Sequence, residues 1–285
     1  MTAPRPLGRL RSLLFAPAVR PDMLARLAGR GADAVVIDCE DATPPGAKAG
    51  ARATAREVAA GLAEAVAVTV RVNAVASPWF AADIAEGLDP GLAAVVVPKI
   101  ETWADLDTVE TALGSAGLAG LGVIAGLETA LGVADARPLL AHPRVVGGYF
   151  GAEDFVADMG GVRTAGNDEV AFARSAVALA GRLAGVPVLD QVVTDFRDDT
   201  RFERETAEAR ALGYAGKLCV HPAQVPLANA GFVPSAAEVD RARRLLAAYG
   251  EAAAAGVAAI DFEGQMIDEP LAAQARQLLA RDGRL

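Results

Sequence analysis

The chain has 285 residues, of which 53% are hydrophobic and 22% charged, and a formal net charge of -9. At this length a globular fold removes roughly three quarters of the extended chain's surface from water, so neither a disulfide framework nor a structural metal is needed for folding. With 36 acidic residues against 27 basic ones, a nucleic-acid partner is excluded as an expectation, because such proteins concentrate positive charge on one face.

No stretch reaches the roughly 18 apolar residues that span a bilayer, so no membrane partner is expected. Arg5, Arg9 and Arg11 precede Leu13-Leu14-Phe15-Ala16 in the manner of a secretory signal. The run breaks at Pro17 and Arg20, short of the apolar region of about 7–15 residues that a signal requires. Cys39 and Cys219 lie far apart and match no metal-ligand spacing, which favours a reducing cytoplasm.

Eight short β-branched apolar runs follow in order, at residues 11–16, 34–38, 66–72, 93–98, 121–127, 145–150, 186–189 and 216–220. Their apolarity is continuous rather than alternating, which is the pattern of parallel strands covered on both faces. Between them lie Ala-rich helical patterns at 47–63, 103–113, 130–140, 168–183 and 200–212. Eight such units predict an α/β fold, a (β/α)8 TIM barrel, over residues 1–235. The competing doubly wound sheet wants a glycine-rich turn after its first strand, where Phe15-Ala16-Pro17-Ala18-Val19 stands instead. Residues 236–285 form a C-terminal extension, with helices near 236–255 and 270–281, placed to cover the barrel mouth or contact a neighbouring subunit.

Chemistry in such a barrel belongs to the C-terminal ends of the strands. The second run ends in Asp38-Cys39-Glu40-Asp41, the third in Arg71-Val72-Asn73, the fifth in Glu128-Thr129 and the sixth in Gly151-Ala152-Glu153-Asp154. Converging carboxylates need an offsetting cation. Glu128 and Asp154, on adjacent strand ends, are the candidate ligands. All-oxygen ligation suits Mg2+, or Mn2+, rather than zinc. Arg71 is the candidate for holding an oxyanion. Asp41 competes with a role as a turn cap, and His221 before Pro222 reads as a packing residue. Lys99 as a Schiff-base nucleophile is the weaker reading, because Ile100 and Glu101 give no sign of the desolvation it needs.

These motifs in this order resemble the citrate lyase beta subunit family, with the malyl-CoA and citramalyl-CoA lyases of the HpcH/HpaI aldolase superfamily, among the phosphoenolpyruvate/pyruvate-type barrels. The likeness begins at Arg11-Ser12-Leu13-Leu14-Phe15-Ala16-Pro17 and continues through Asp38-Cys39-Glu40-Asp41-Ala42, Lys48 and Arg52. Arg71-Val72-Asn73, Pro98-Lys99-Ile100-Glu101, Glu128-Thr129-Ala130, Gly151-Ala152-Glu153-Asp154, Gly216-Lys217, His221-Pro222 and Gly264-Gln265-Met266-Ile267-Asp268 complete it. Ala18 departs from a usual glycine, and Cys39 from a usual apolar residue. The resemblance implies Mg2+ on Glu128 and Asp154, a CoA thioester and a 2-oxo acid as substrates, and a homotrimer in which Asp268 completes an adjacent active site.

The reaction so implied is carbon-carbon cleavage, by an oxo-acid-lyase, of a 3-hydroxy-3-carboxyacyl-CoA of malyl, citramalyl or citryl type. Arg71 would hold the enolate oxygen, and Asp41 or Asp268 would handle the proton. Backbone N–H groups of Ala152, Glu153 and Asp154 would receive the oxo-acid carboxylate, and Arg11, Lys48 and Arg52 the CoA phosphates. Three other readings share the barrel. One is a metal-dependent 2-oxo acid aldolase acting without CoA. The others are a citrate lyase beta subunit served by a carrier protein and a non-catalytic CoA-binding subunit.

Overall fold

A computed structural model describes residues 7–282, so Arg5 lies outside the described residues. The strands are β1 (Ser12–Pro17), β2 (Ala34–Asp38), β3 (Ala67–Arg71), β4 (Ala94–Val97), β5 (Val123–Leu127), β6 (Val145–Phe150), β7 (Val188–Asp190) and β8 (Gly216–Cys219). They pair in sequence order and all in parallel, and β8 returns to β1 to close a TIM barrel. Every residue of β2, β4 and β5 is buried, as covering on both faces requires. One apolar cluster draws on all eight strands, including Leu13, Val36, Val96, Ile124, Leu189 and Leu218. Ala34, Ala67 and Ala94 alternate with these larger side chains in the same cluster. Small and branched residues interdigitate there, so a chain with few aromatics still fills its barrel.

Most helices stand where the periodicity puts them. The helix Trp103–Ser115 opens on a capping box formed by Thr102 and Asp105. The pattern over 130–140 is instead two helices, Ala130–Ala134 and Ala136–Leu140. Pro138 has no N–H for the Ala134 carbonyl and its ring crowds that oxygen, so the first helix ends there. Four short helices have no counterpart in the periodicity, Pro21–Leu24, Phe80–Gly87, Ala152–Asp158 and Gln224–Gly231.

The chain divides into compact units Met1–Asn229 and Ala230–Leu285. In the second, the helices Ala236–Ala254 and Glu269–Asp282 flank an antiparallel hairpin of β9 (Ile260–Phe262) and β10 (Gln265–Ile267). Leu245, Tyr249, Ile267 and Ala272 form its own core. The hairpin turns on Glu263 and Gly264 at φ 56 and 78, both left-handed, as a two-residue hairpin turn demands. Arg241 and Arg244 bind the Glu263 carboxylate at 2.9 and 2.6 Å. Among the described residues no helix is long and apolar enough to cross a membrane.

Candidate active site

Parallel pairing sets Asp38, the last residue of β2, beside Arg71, the last of β3. The guanidinium donates from Nε and Nη2 to the two Asp38 oxygens, each at 2.7 Å. Its Nη1 lies 2.9 Å from Glu40 Oε2 as an ion pair. That oxygen makes no well-aligned hydrogen bond. Asp41 stands 3.7 Å away at the solvent edge. Burial alone would lower the Arg71 pKa, but the attraction of Asp38 outweighs it and leaves the pKa well raised. Arg71 is therefore a permanent, immobilised cation facing the cavity.

Glu128, the residue after β5, is 1% exposed. Its Oε1 accepts the hydroxyl of Tyr149, which points inward from β6, while its Oε2 has no hydrogen-bond partner. Burial pushes the Glu128 carboxyl up to about 8, against the opposing pull of Arg71 and Tyr149. Gly151 makes room for it, since a Cβ there would lie 2.6 Å from Glu128 Cγ. Gly151 also caps the helix Ala152–Asp158, whose first turn carries Glu153 and Asp154. At the far end of that helix Asp158 accepts the Ala130 N–H at 2.8 Å, tying the Asp154 helix to the segment after Glu128.

Lys99 follows β4 in the left-handed region, at φ 52. Its Nζ is 2.7 Å from Glu40, 3.2 Å from Asp154, 3.9 Å from Glu128 and 4.0 Å from Asp41. Burial would lower its pKa, but the hydrogen bond and charge of Glu40 raise it. An amine held protonated by an ion pair with Glu40 is a poor Schiff-base nucleophile. Beside this cluster lies a cavity of about 330 Å³ whose lining includes Asp38, Asp41, Arg71, Glu128, Tyr149 and Asp154.

The expected cluster is thus assembled in part. Glu128, Asp154, Arg71 and Asp41 meet at the cavity, which Ala152 and Glu153 also line. Glu153 turns its carboxylate to Arg163 at 3.0 Å, so only its backbone N–H is relevant to a ligand. Asp268 belongs to the second unit, where it accepts the Leu271 N–H ahead of the last helix.

The three basic residues expected to meet CoA phosphates do not lie together with the carboxylate cluster's lining. Arg11 precedes β1, at the end of the barrel opposite the mouth, and is clamped by both oxygens of Asp33. Lys48 is buried, donating to the Cys39 and Glu40 carbonyls and to Asn73. Arg52 pairs with Asp83 and Glu86. Each has charged or polar partners within the chain. Asp38 and Tyr149 enter the site without having been singled out for a role. Tyr149 had a legible signal as the one hydroxyl-bearing side chain in an otherwise apolar strand, where a buried phenol needs a partner.

The donor set fits a hard divalent cation. Two carboxylates on adjacent strand ends share one side of the cavity, one oxygen is buried without a partner, and an ammonium already lies beside both. A second group of possible ligands, Asp107, Glu110 and His142, lies apart from it, at the helix Trp103–Ser115. There Arg144 already binds Glu110 at 2.7 Å.

A closed barrel with carboxylates and a fixed arginine at the C-terminal ends of its strands has the layout of a (β/α)8 enzyme. The chain belongs to the HpcH/HpaI aldolase/citrate lyase family, which it matches over residues 11–222. It is 50% identical to a citrate lyase subunit beta-like protein of Deinococcus radiodurans, over 99% of this chain and 100% of that one. It is 32% identical to a (3S)-malyl-CoA thioesterase of Cereibacter sphaeroides, over 95% and 94% of the two chains. The crystal structure of CitE from Mycobacterium tuberculosis, in complex with magnesium, acetoacetate and coenzyme A, superposes with a TM-score of 0.81 at 33% identity. That alignment covers 99% of this chain and 98% of the other.

Proposed function

We propose that the protein is a Mg2+-dependent CoA-ester lyase that cleaves, or forms, a 3-hydroxy-3-carboxyacyl-CoA of malyl, citramalyl or citryl type. The observation that carries this reading is the unpartnered, buried Glu128 Oε2, facing the same cavity as Asp154 and Arg71. The magnesium and coenzyme A bound by the Mycobacterium tuberculosis CitE support it.

Glu128 and Asp154 would hold Mg2+, with Mn2+ an acceptable substitute. When bound, the ion supplies positive charge against the hydroxyl and carboxylate oxygens of the substrate. Arg71, held still by Asp38, stabilises the negative charge that gathers on the thioester oxygen as the carbon-carbon bond breaks. It acts without reorganising, because its guanidinium is already locked. Asp41 keeps a solvent-exposed carboxylate beside Arg71 and is the candidate to exchange the proton on carbon. Asp268 from a neighbouring subunit is the alternative. The N–H groups of Ala152, Glu153 and Asp154 precede the first bond of their helix, Phe155 N–H to Gly151 O, and would receive the oxo-acid carboxylate.

The test incubates purified protein with Mg2+ and a panel of hydroxyacyl-CoA esters and measures the oxo acid released. Release that EDTA abolishes, and that Glu128→Ala and Asp154→Ala each remove, supports the reading. No oxo acid from any ester sinks it. Thioester hydrolysis is the second reading, favoured by the thioesterase relative. Free CoA appearing without oxo acid identifies that case, and turnover only on an acyl carrier protein identifies a citrate lyase beta role.

We infer a homo-oligomer, with a trimer as its size. The helix Ala171–Ala184 supports self-association by presenting Phe172, Leu179 and Leu183, which are 83%, 60% and 60% exposed, at spacings of one outward face. Two buried free thiols, Cys39 and Cys219, support a reducing, cytoplasmic setting.

A further inference from the structure

We propose that the Lys99 ammonium is a displaceable counter-ion, occupying the carboxylate cluster in the metal-free protein and giving up Asp154 and Glu128 when a divalent cation binds. This deepens the metal-dependent reading above and rests on it.

The chain has three lysines among its 27 basic residues. Lys48 and Lys217 are buried at 5% and 0% exposure, each fully engaged with partners. Lys99 is the third, partly open to solvent, with its side chain 29% exposed. Arginine supplies every other basic side chain, so a compact ammonium on a flexible stem stands where a planar, multidentate guanidinium would be hard to dislodge.

Geometry carries the next step. The ammonium lies at the meeting point of four carboxylates contributed from β2, β5 and β6, yet only the Glu40 contact, at 2.7 Å, is a close hydrogen bond. The Glu128 contact is 3.9 Å, so Lys99 lies beside Glu128 Oε2 without bonding it. A buried carboxylate in that condition takes a better cation when one arrives. A divalent ion on Asp154 and Glu128 repels an ammonium beside the same oxygens. Glu40 remains as its anchor, so Lys99 withdraws without leaving the site. Its left-handed backbone, at φ 52, is a conformation that a non-glycine residue holds only at a cost. The Glu40 hydrogen bond at 2.7 Å sets the ammonium over the cluster.

The consequence is internal competition. Lys99 keeps the carboxylates from repelling one another in the empty site and weakens metal binding by the fraction of time it occupies it. Mn2+ and Mg2+ affinities of the full-length protein, read by calorimetry, test this. Lys99→Met should bind each ion about tenfold more tightly than wild type, and Lys99→Arg, which keeps the charge, should bind no more tightly. The second readout is acetylation of Lys99, followed by mass spectrometry. With the other two lysines buried, Lys99 is the one accessible target, and saturating Mg2+ should speed its labelling severalfold. Unchanged metal affinity in Lys99→Met, or unchanged labelling on adding Mg2+, overturns the proposal while leaving the metal-dependent reading intact. Failure of both ions to bind wild type and Lys99→Met alike overturns both. Circular dichroism of Lys99→Met confirms that any change is not unfolding, and the labelling result on wild type stands independently of that variant.

Discussion

Glu128 is a carboxylate held out of water by a tyrosine on one side and a glycine on the other. Its position depends on the absence of a side chain at residue 151. Gly151→Ala would drive a Cβ to 2.6 Å from Glu128 Cγ, so the carboxylate must swing. A displacement of about 1 Å in a positioned group costs on the order of 100-fold in rate. We expect kcat of Gly151→Ala to fall by 10- to 100-fold, with the thermal midpoint shifted far less. Steady-state kinetics beside a melting curve check this. Tyr149→Phe leaves Glu128 Oε1 buried without its donor, at a cost of about 1–3 kcal/mol. Urea denaturation of Tyr149→Phe measures that loss, and a variant as stable as wild type shows that the hydroxyl contributes nothing.

At the scale of elements, β7 and β8 are joined to the helices outside them by a second buried ionic network. Lys217 on β8 is fully buried and contacts Asp190 on β7 at 2.8 Å and Glu205 on the helix Asp199–Leu212 at 3.5 Å. Arg174 clamps both oxygens of Asp190 at 3.0 Å. Burial would raise the Glu205 carboxyl, but Lys217 and the hydrogen bond from Arg201 outweigh it and hold the pKa down to about 2, against the ordinary 4.5. A carboxyl depressed in the folded state contributes stability that is fully present above its unfolded pKa. That contribution is lost as the pH falls through the folded pKa. Here it amounts to about 3 kcal/mol, lost mainly between about pH 5 and pH 2. Urea midpoints at pH 6 and pH 3 should therefore differ more for wild type than for Glu205→Gln. Lys217→Met removes the buried cation between Asp190 and Glu205, leaving them Arg174 and Arg201, and a loss of about 3 kcal/mol is expected at neutral pH.

At the scale of the whole molecule, the outward face of the helix Ala171–Ala184 belongs to no core of this chain, as the exposure of Phe172, Leu179 and Leu183 shows. If a second copy covers it, Phe172→Glu should reduce the assembly to monomers in light scattering, with circular dichroism unchanged. An unaltered mass would place the interface elsewhere.

The barrel was legible in the sequence because parallel strands buried on both faces must be continuously apolar, and eight such runs leave few architectures open. Glu128, Asp154, Arg71 and Asp41 were legible because strand ends are where a barrel exposes chemistry, and a charged residue after an apolar run marks such an end. The tertiary structure decided the remainder. Arg11 looked like a phosphate ligand until pairing of the strand starts set it against Asp33. Lys48 and Arg52 were cations with no visible partner until Asn73, Asp83 and Glu86 came into reach. Lys99 was visible as a charge after an apolar run, but its partners were not, because all its carboxylate neighbours come from other strands. A side chain's type and its place along a strand are local properties, and sequence alone determined those. Which opposite charge neutralises a cation is settled only when residues tens of positions apart are folded to within a few ångströms.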